Sequence, residues 1–328
     1  MTILVTGCAG FIGWKVTQKL LERGDTVVGV DNMNDYYDPR LKEWRLSTLA
    51  KSKGFVFHRD DITDMPRMEG LFKQNKFDAV VNLAARAGVR ASVEDPWIYY
   101  ETNVTGTLNL LECCRRYGVK KFLLASTSSV YGLNDIPFRE DDNTEKVLSP
   151  YAASKKAAEV LCFTYHYLYG IDVSIPRYFT VYGPGGRPDM SIFRFMKNIH
   201  EGKPIEVYGD GTQKRDFTYV DDIANGTIAG LKPVGYAIFN LGNSNSVELK
   251  YVIGLIEENM KKKATITYLP RHPADVLATW ADIKRAEDLF GWKPAVGIEQ
   301  GLKEAVKWYH DYRRWNYRKD VQLHVPTE

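Results

Sequence analysis

Thr2-Ile3-Leu4-Val5-Thr6-Gly7-Cys8-Ala9-Gly10-Phe11-Ile12-Gly13 opens the chain with a β-branched run, then glycines three residues apart at 7, 10 and 13. The amphipathic stretch that follows covers residues 12–23 and stops at Gly24. Strand, tight turn and helix in that order make the first half of a strand–helix–strand unit. The unit repeats: residues 26–30, 55–58, 79–83 and 122–125 read as further strands, with helical stretches between them, one over 102–117 closed by Gly118. This alternation predicts an α/β fold with a doubly wound parallel sheet of Rossmann type. After Tyr178 the pattern breaks into Gly- and Pro-rich segments at 182–188 and 201–211. A helix over 220–231 and a strand at 237–241 read as returning to the sheet. The expected organisation is one domain over 1–178, rejoined by 216–242, and a smaller C-terminal lobe from 179–215 and 243–328.

At 328 residues, 44% hydrophobic and 26% charged, the chain can bury a sizeable core, which excludes a disordered or low-complexity protein. A net charge of +3 with dispersed basic residues leaves no nucleic-acid footprint. Lys261-Lys262-Lys263 and the region from Arg313-Arg314 to Arg318-Lys319 read as solvated surface. The strand-like start leaves no room for a signal peptide, and no apolar run approaches the roughly twenty residues of a membrane span. A cytoplasmic protein with no membrane partner is expected. Cys8, Cys113, Cys114 and Cys162 lack metal or disulfide spacing and read as reduced packing residues, with no metal site.

The glycine turn carries the first chemistry. Exposed N–H groups at a helix start, with the helix dipole behind them, hold a pyrophosphate, and glycines let it approach the backbone. The spacing here is Gly-x-x-Gly-x-x-Gly, not the Gly-x-Gly-x-x-Gly of the usual dinucleotide fingerprint. Asp31, ending the second strand, can accept both ribose hydroxyls and repel a 2′-phosphate, which favours NAD over NADP. The bland alternative is a tight turn followed by a surface aspartate. Asp61-Ile62 and Leu83-Ala84-Ala85 fall at strand carboxyl ends, where open α/β sheets bind ligands, and suit an adenine and a ribose.

Ser126-Thr127-Ser128-Ser129-Val130-Tyr131-Gly132 caps the fifth strand. Tyr151 and Lys155 stand one helical turn apart on one face, so the ammonium can favour the phenolate and make Tyr151 an acid/base. Alone, that spacing is common on solvated helices. Together with the glycine loop, Asn82-Leu83-Ala84-Ala85, Asn103, Arg177-Tyr178-Phe179 and Arg215-Asp216-Phe217-Thr218-Tyr219-Val220-Asp221-Asp222, the ordered set resembles the extended short-chain dehydrogenase/reductase family. The resemblance covers nearly the full length and lies with its nucleotide-sugar epimerases. It implies that Tyr151 is the base, that Lys155 lowers its pKa and holds the nicotinamide ribose, and that Thr127 bonds the sugar's 4-hydroxyl. NAD contacts are implied for Gly7, Gly10, Phe11, Ile12, Gly13, Asp31, Asp61, Ile62, Leu83, Ala84, Ala85, Asn103, Ser126 and Tyr178. Arg215, the segment from Arg271 to Asp275, and Gln213 are implied for diphosphate or ribose. Lowering a tyrosine from about 10 to about 7 takes about 4 kcal/mol, which Lys155 and the cationic nicotinamide can share.

Sugar-dehydrating relatives carry Asp-Glu after the threonine, whereas this chain has Ser128-Ser129. Those serines and Thr180 can hydrogen-bond a carboxylate, with charge assistance from Arg187, which points to a uronic acid. The strings Asp31-Asn32-Met33-Asn34-Asp35-Tyr36-Tyr37-Asp38-Pro39, Ala87-Gly88-Val89-Arg90 and 178–190 look like the UDP-glucuronate 4-epimerases. That resemblance implies conversion of UDP-glucuronate to UDP-galacturonate through a 4-keto sugar. Alternatively, the two serines satisfy backbone and Arg187 lies on the surface. UDP-glucose 4-epimerase, UDP-glucuronate decarboxylase and a non-catalytic NAD-binding protein are the competing functions. Arg90 is either a substrate contact or a support at the lobe boundary. Trp14, Pro176 and Arg271-His272-Pro273-Ala274-Asp275 depart from the family pattern, the last putting phosphate contacts in doubt. Related proteins pair through two helices, here 102–117 and 150–169, so a homodimer is expected. The aromatics Phe163, Tyr165, Tyr167 and Tyr169 fit core or interface.

Overall fold

The computed structural model describes residues 1–271 and 275–316. The first half runs β1 (Thr2–Thr6), α1 (Phe11–Glu22), β2 (Thr26–Val30), α2 (Pro39–Leu49), β3 (Phe55–His58), α3 (Met65–Gln74) and β4 (Ala79–Asn82). Short helices α4 (Ala91–Glu94) and α5 (Trp97–Tyr100) and a π-helical turn (Glu101–Thr105) lead into α6 (Gly106–Tyr117), β5 (Lys121–Leu124), β6 (Ser126–Thr127), α7 (Pro150–Tyr169) and β7 (Asp172–Tyr178). Then come β8 (Thr180–Tyr182), α8 (Ser191–Glu201), β9 (Ile205–Tyr208), β10 (Lys214–Tyr219), α9 (Val220–Ala229) and β11 (Tyr236–Leu241). The chain continues through β12 (Ser246–Glu248), α10 (Leu249–Met260), β13 (Ile266–Leu269), α11 (Lys284–Phe290) and α12 (Ile298–Asn316).

The main sheet has the order β3-β2-β1-β4-β5-β7-β11, parallel throughout, with β6 added beside β7. Thr6 pairs with Val30 on one side and Asn82 on the other, so the chain reverses its winding direction between β1 and β4. A crevice opens at the carboxyl ends of strands at such a point. Strand period 2 explains the two cores. Leu4 faces Met68, Leu71, Leu110 and Cys162 from α3, α6 and α7, while Ile3 and Val5 face Trp14, Val16, Leu20 and Ala224 from α1 and α9. All four cysteines are buried.

β8, β10 and β12 form a second sheet and β9 pairs with β13. Around them α8, α10 and α12 enclose a separate core that includes Phe193, Met196, Phe217, Val252, Ile256 and Leu302. Asp216 joins these parts: fully buried, its carboxylate accepts from the N–H groups of Asn243 (2.6 Å) and Ala281 (3.0 Å), and burial pushes it up to about 6.

The helix predicted over 102–117 is interrupted at its start. Asn103 donates to the Arg86 carbonyl and Ser154 Oγ, and Thr107 Oγ1 donates to the Asn103 carbonyl, drawing the backbone into the π-helical turn. The helix predicted to 231 closes at Ala229, before Gly230. His272–Ala274 and residues 317–328, including Arg318 and Lys319, lie outside the described residues. No helix among the described residues is long and apolar enough to cross a membrane.

Candidate active site

A cleft of about 440 Å³ follows the carboxyl edge of the main sheet, from the glycine loop at one end to Thr180, Arg187, Arg215 and Asp275 at the other. Its volume suits a ligand of drug size or larger. The glycine loop is built by close approach. Gly7 sits at φ +68°, and a Cβ on Gly13 would stand 2.0 Å from the Gly7 carbonyl oxygen, so only glycine closes the turn. Gly10 precedes α1 without a side-chain cap, leaving the helix-start N–H groups for a ligand. Gly7, Gly10, Phe11, Ile12, Gly13, Asp31, Asp61, Ile62, Leu83, Ala84, Ala85, Ser126 and Tyr178 all line the cleft. The open helix start, the glycine cradle and the carboxylate of Asp31 fit a dinucleotide.

Asp31 is not solitary. Its Oδ2 accepts from Ala9 N (3.2 Å), and its Oδ1 accepts from Met33 N (2.9 Å) and buried Lys42 Nζ (3.3 Å). Lys42 also lines the cleft. It was not expected from the sequence, although a signal was there: Lys42, Arg45, Leu46 and Leu49 lie at i, i+3, i+4 and i+7, putting two cations on the buried stripe of α2.

At the chemical centre, Ser149 caps α7 by accepting from Ala152 N (3.2 Å), with Pro150 in the first turn. The cap fixes Tyr151 at the helix start and Lys155 one turn on, both on the cleft wall. Thr127 Oγ1 donates to Ser129 Oγ (3.2 Å) and accepts from Ser129 N (3.2 Å). Burial raises the Tyr151 phenol, while the Thr127 hydroxyl and then the Arg187 charge draw it down. Burial drives Lys155 itself down from 10.5 to about 8, against the pull of Glu159. Ser126 Oγ donates to Glu159 Oε1 (2.6 Å), and Glu159 is clamped by Arg177 through Nε (3.0 Å) and Nη2 (2.8 Å), both side chains 1% exposed. This pair supports the hydroxyl loop from behind.

Ser128, Ser129, Thr180 and Arg187 share the cleft with Tyr151. Arg187 is no loose surface residue. It donates to Asp189 Oδ2 (2.6 Å) and the Ala87 carbonyl (3.3 Å), and lies 5.7 Å from the ring of Tyr36, another lining residue. Other expected contacts sit elsewhere. Asn103 is behind the wall, accepting from Arg86 N (2.9 Å), and orients that loop. Arg90 pairs with Asp275 and covers the Tyr208 ring at 3.6 Å, joining the two lobes. Gln213 Nε2 donates to the Tyr208 carbonyl (2.9 Å), and Arg271 lays its aliphatic carbons on Gly209, neither lining the cleft. Arg215 and Asp275 do line it.

A family model described as the NAD dependent epimerase/dehydratase family matches residues 3–242. The chain belongs to that family. It is 57% identical over 306 residues to a UDP-glucuronate 4-epimerase of Thermodesulfobacterium geofontis, covering 93% of this chain and 95% of that one. A crystal structure of UDP-glucuronic acid 4-epimerase from Bacillus cereus with UDP-glucuronic acid and NAD superimposes with a TM-score of 0.91 at 38% identity, covering 95% of this chain and all of that one. UDP-glucose 4-epimerase of Thermotoga maritima, with UDP-glucose, gives 0.88 at 31% identity over 95% of this chain and 100% of that one.

Proposed function

We propose that the protein is an NAD-dependent UDP-glucuronate 4-epimerase, producing UDP-galacturonate through a transient 4-keto sugar. The observation that carries the reading is the gathering of Thr127, Ser128, Ser129, Thr180 and Arg187 around Tyr151 in one cleft. A neutral hexose has no group that needs so many donors; a carboxylate does.

The glycine loop, Asp31 and Lys155 would hold NAD, with Tyr178, Asp61, Ile62 and Leu83–Ala85 along its length. NAD held there would supply the acceptor and donor for the carbon 4 hydride, and its positive charge would add to the forces that favour the phenolate. Tyr151 removes the 4-hydroxyl proton and later restores it, and Thr127 orients that hydroxyl. Lys155 sits where its charge stabilises the phenolate. For the configuration to invert, the keto ring must present its other face. The sugar is therefore held mainly through its remote nucleotide, for which Arg215 and Asp275 are the cleft-lining candidates. A 4-keto uronate is a β-keto acid. It loses carbon dioxide most easily when the C5–C6 bond stands perpendicular to the carbonyl plane, and the Ser128, Ser129 and Thr180 hydroxyls with Arg187 restrain the carboxylate from that geometry.

We also assign residues 1–178 and 220–242 to the NAD-binding domain and 179–219 with 243–316 to the sugar-nucleotide lobe; the expected boundary at 216 moves to 220 because β10 pairs with β8 and β12. We place the enzyme in the cytoplasm as a homodimer. Dimerisation is supported by the apolar face that α7 leaves open, where Val160, Phe163 and Tyr167 are 55%, 51% and 78% exposed while Tyr165 is core. Incubation with UDP-glucuronate and with UDP-glucose tests the function: UDP-galacturonate is the expected product. A UDP-pentose as main product, or preferred turnover of UDP-glucose, would overturn the reading.

A further inference from the structure

Arg45, on α2, is 0% exposed, and its hydrogen-bond partners are three main-chain carbonyls and a phenol. Nη1 donates to the Ala9 carbonyl (2.8 Å) and to Tyr37 Oη (2.7 Å); Nη2 donates to the carbonyls of Gly185 (2.7 Å) and Gly186 (3.4 Å). Ala9 lies inside the glycine loop. Gly185 and Gly186 lead directly into Arg187. One rigid guanidinium fork therefore joins the cofactor loop to a loop, 140 residues beyond Arg45 in sequence, that carries the cation at the sugar end of the cleft.

A buried guanidinium with no carboxylate partner among the described residues is a poor way to stabilise a fold, because an apolar side chain of similar volume avoids the desolvation cost. What the charge achieves here is geometric. It holds two ligand-facing loops at a fixed separation, and the φ of +75° at Gly185, with Trp14 packed where a Cβ would go, leaves that loop little room to shift.

We propose that Arg45 is a positioning residue: by fixing the Gly185–Gly186 backbone to the cofactor loop it sets where Arg187 stands, and so keeps the 4-keto intermediate from losing its carboxylate. The proposal rests on the UDP-glucuronate reading. In the side reaction the C5–C6 bond breaks and its electron pair forms the C4–C5 enolate while carbon dioxide leaves. The enolate takes a proton at C5, and the hydride removed in the first step reduces the 4-ketone to leave a UDP-pentose.

The test measures product partition and steady-state kinetics of the full-length enzyme with UDP-glucuronate for Arg45→Met, Arg45→Lys, Tyr37→Phe, Arg187→Met and the Arg45→Met/Arg187→Met double variant. Arg45→Met should raise the UDP-pentose share and lower the epimerisation kcat, each about tenfold, the size of one charge-assisted hydrogen bond, with KM changed less than about twofold. Arg45→Lys should not restore the partition, since one ammonium cannot span both loops. The double variant should show no more UDP-pentose than Arg187→Met, because both act on one group. An unchanged UDP-pentose share in folded Arg45→Met, or shares that multiply in the double variant, would overturn the proposal. If Arg45→Met does not fold, Tyr37→Phe decides: a UDP-pentose share raised about threefold supports it and an unchanged share overturns it. Wild-type enzyme that makes no UDP-galacturonate would instead sink the functional reading.

Discussion

Replacing Lys155 by methionine separates what the lysine does for chemistry from what it costs the fold. Lys155 is 3% exposed on the cleft wall, and burial lowers its pKa from 10.5 to about 8. The folded value lies below the unfolded one, so between about pH 8 and 10.5 the unfolded chain binds more protons and stability rises with pH. Below about pH 8 the full penalty applies. At about 1.4 kcal/mol per pH unit, the drop corresponds to about 3 kcal/mol. Lys155→Met, of similar length and no charge, should therefore be more stable than wild type by about 3 kcal/mol at pH 7, by under about 1 kcal/mol at pH 10, and inactive at both. Urea unfolding of NAD-free protein at the two pH values, with turnover measured alongside, checks this. A stability difference that is the same at pH 7 and pH 10, or a methionine variant less stable at pH 7, would refute the reasoning.

Tyr151→Phe removes the proton acceptor while leaving its packing against Tyr99, so kcat should fall by about 10³-fold or more with bound NAD retained, as read by turnover and cofactor content. Glu159→Gln takes the countercharge from Arg177 and weakens the bond that holds Ser126; a loss of about 3 kcal/mol in denaturant unfolding is expected. Charge on the open face of α7, as in Phe163→Glu with Tyr167→Glu, should convert the proposed dimer to monomer in sedimentation equilibrium without changing the fold by circular dichroism.

The local parts of this molecule were legible because their causes are local. Strand–helix alternation predicts the parallel sheet, the glycine spacing predicts the turn before α1, and Tyr151 with Lys155 needs only helical periodicity to share a face. The parts missed depend on partners far along the chain. Arg45 looks like one more helix cation until Gly185 arrives beside it, and Glu159 looks like a surface residue of α7 until Arg177 from β7 meets it. Spacing shows that Lys155 is near Tyr151, but only the folded surroundings show that burial disfavours the lysine's own charge. Gln213 and Arg271 were assigned from resemblance; their contacts, the Tyr208 carbonyl and Gly209, are visible only in the fold.

The central claim is that carbon 4 is oxidised and reduced again within one cleft, with Tyr151 moving the proton. Conversion of UDP-glucuronate carrying deuterium at carbon 4 tests it most directly. The label should appear wholly at carbon 4 of UDP-galacturonate, with no exchange into solvent and no loss of carbon 6. Loss of the label to water, or UDP-galacturonate formed at an undiminished rate by Tyr151→Phe, would contradict it.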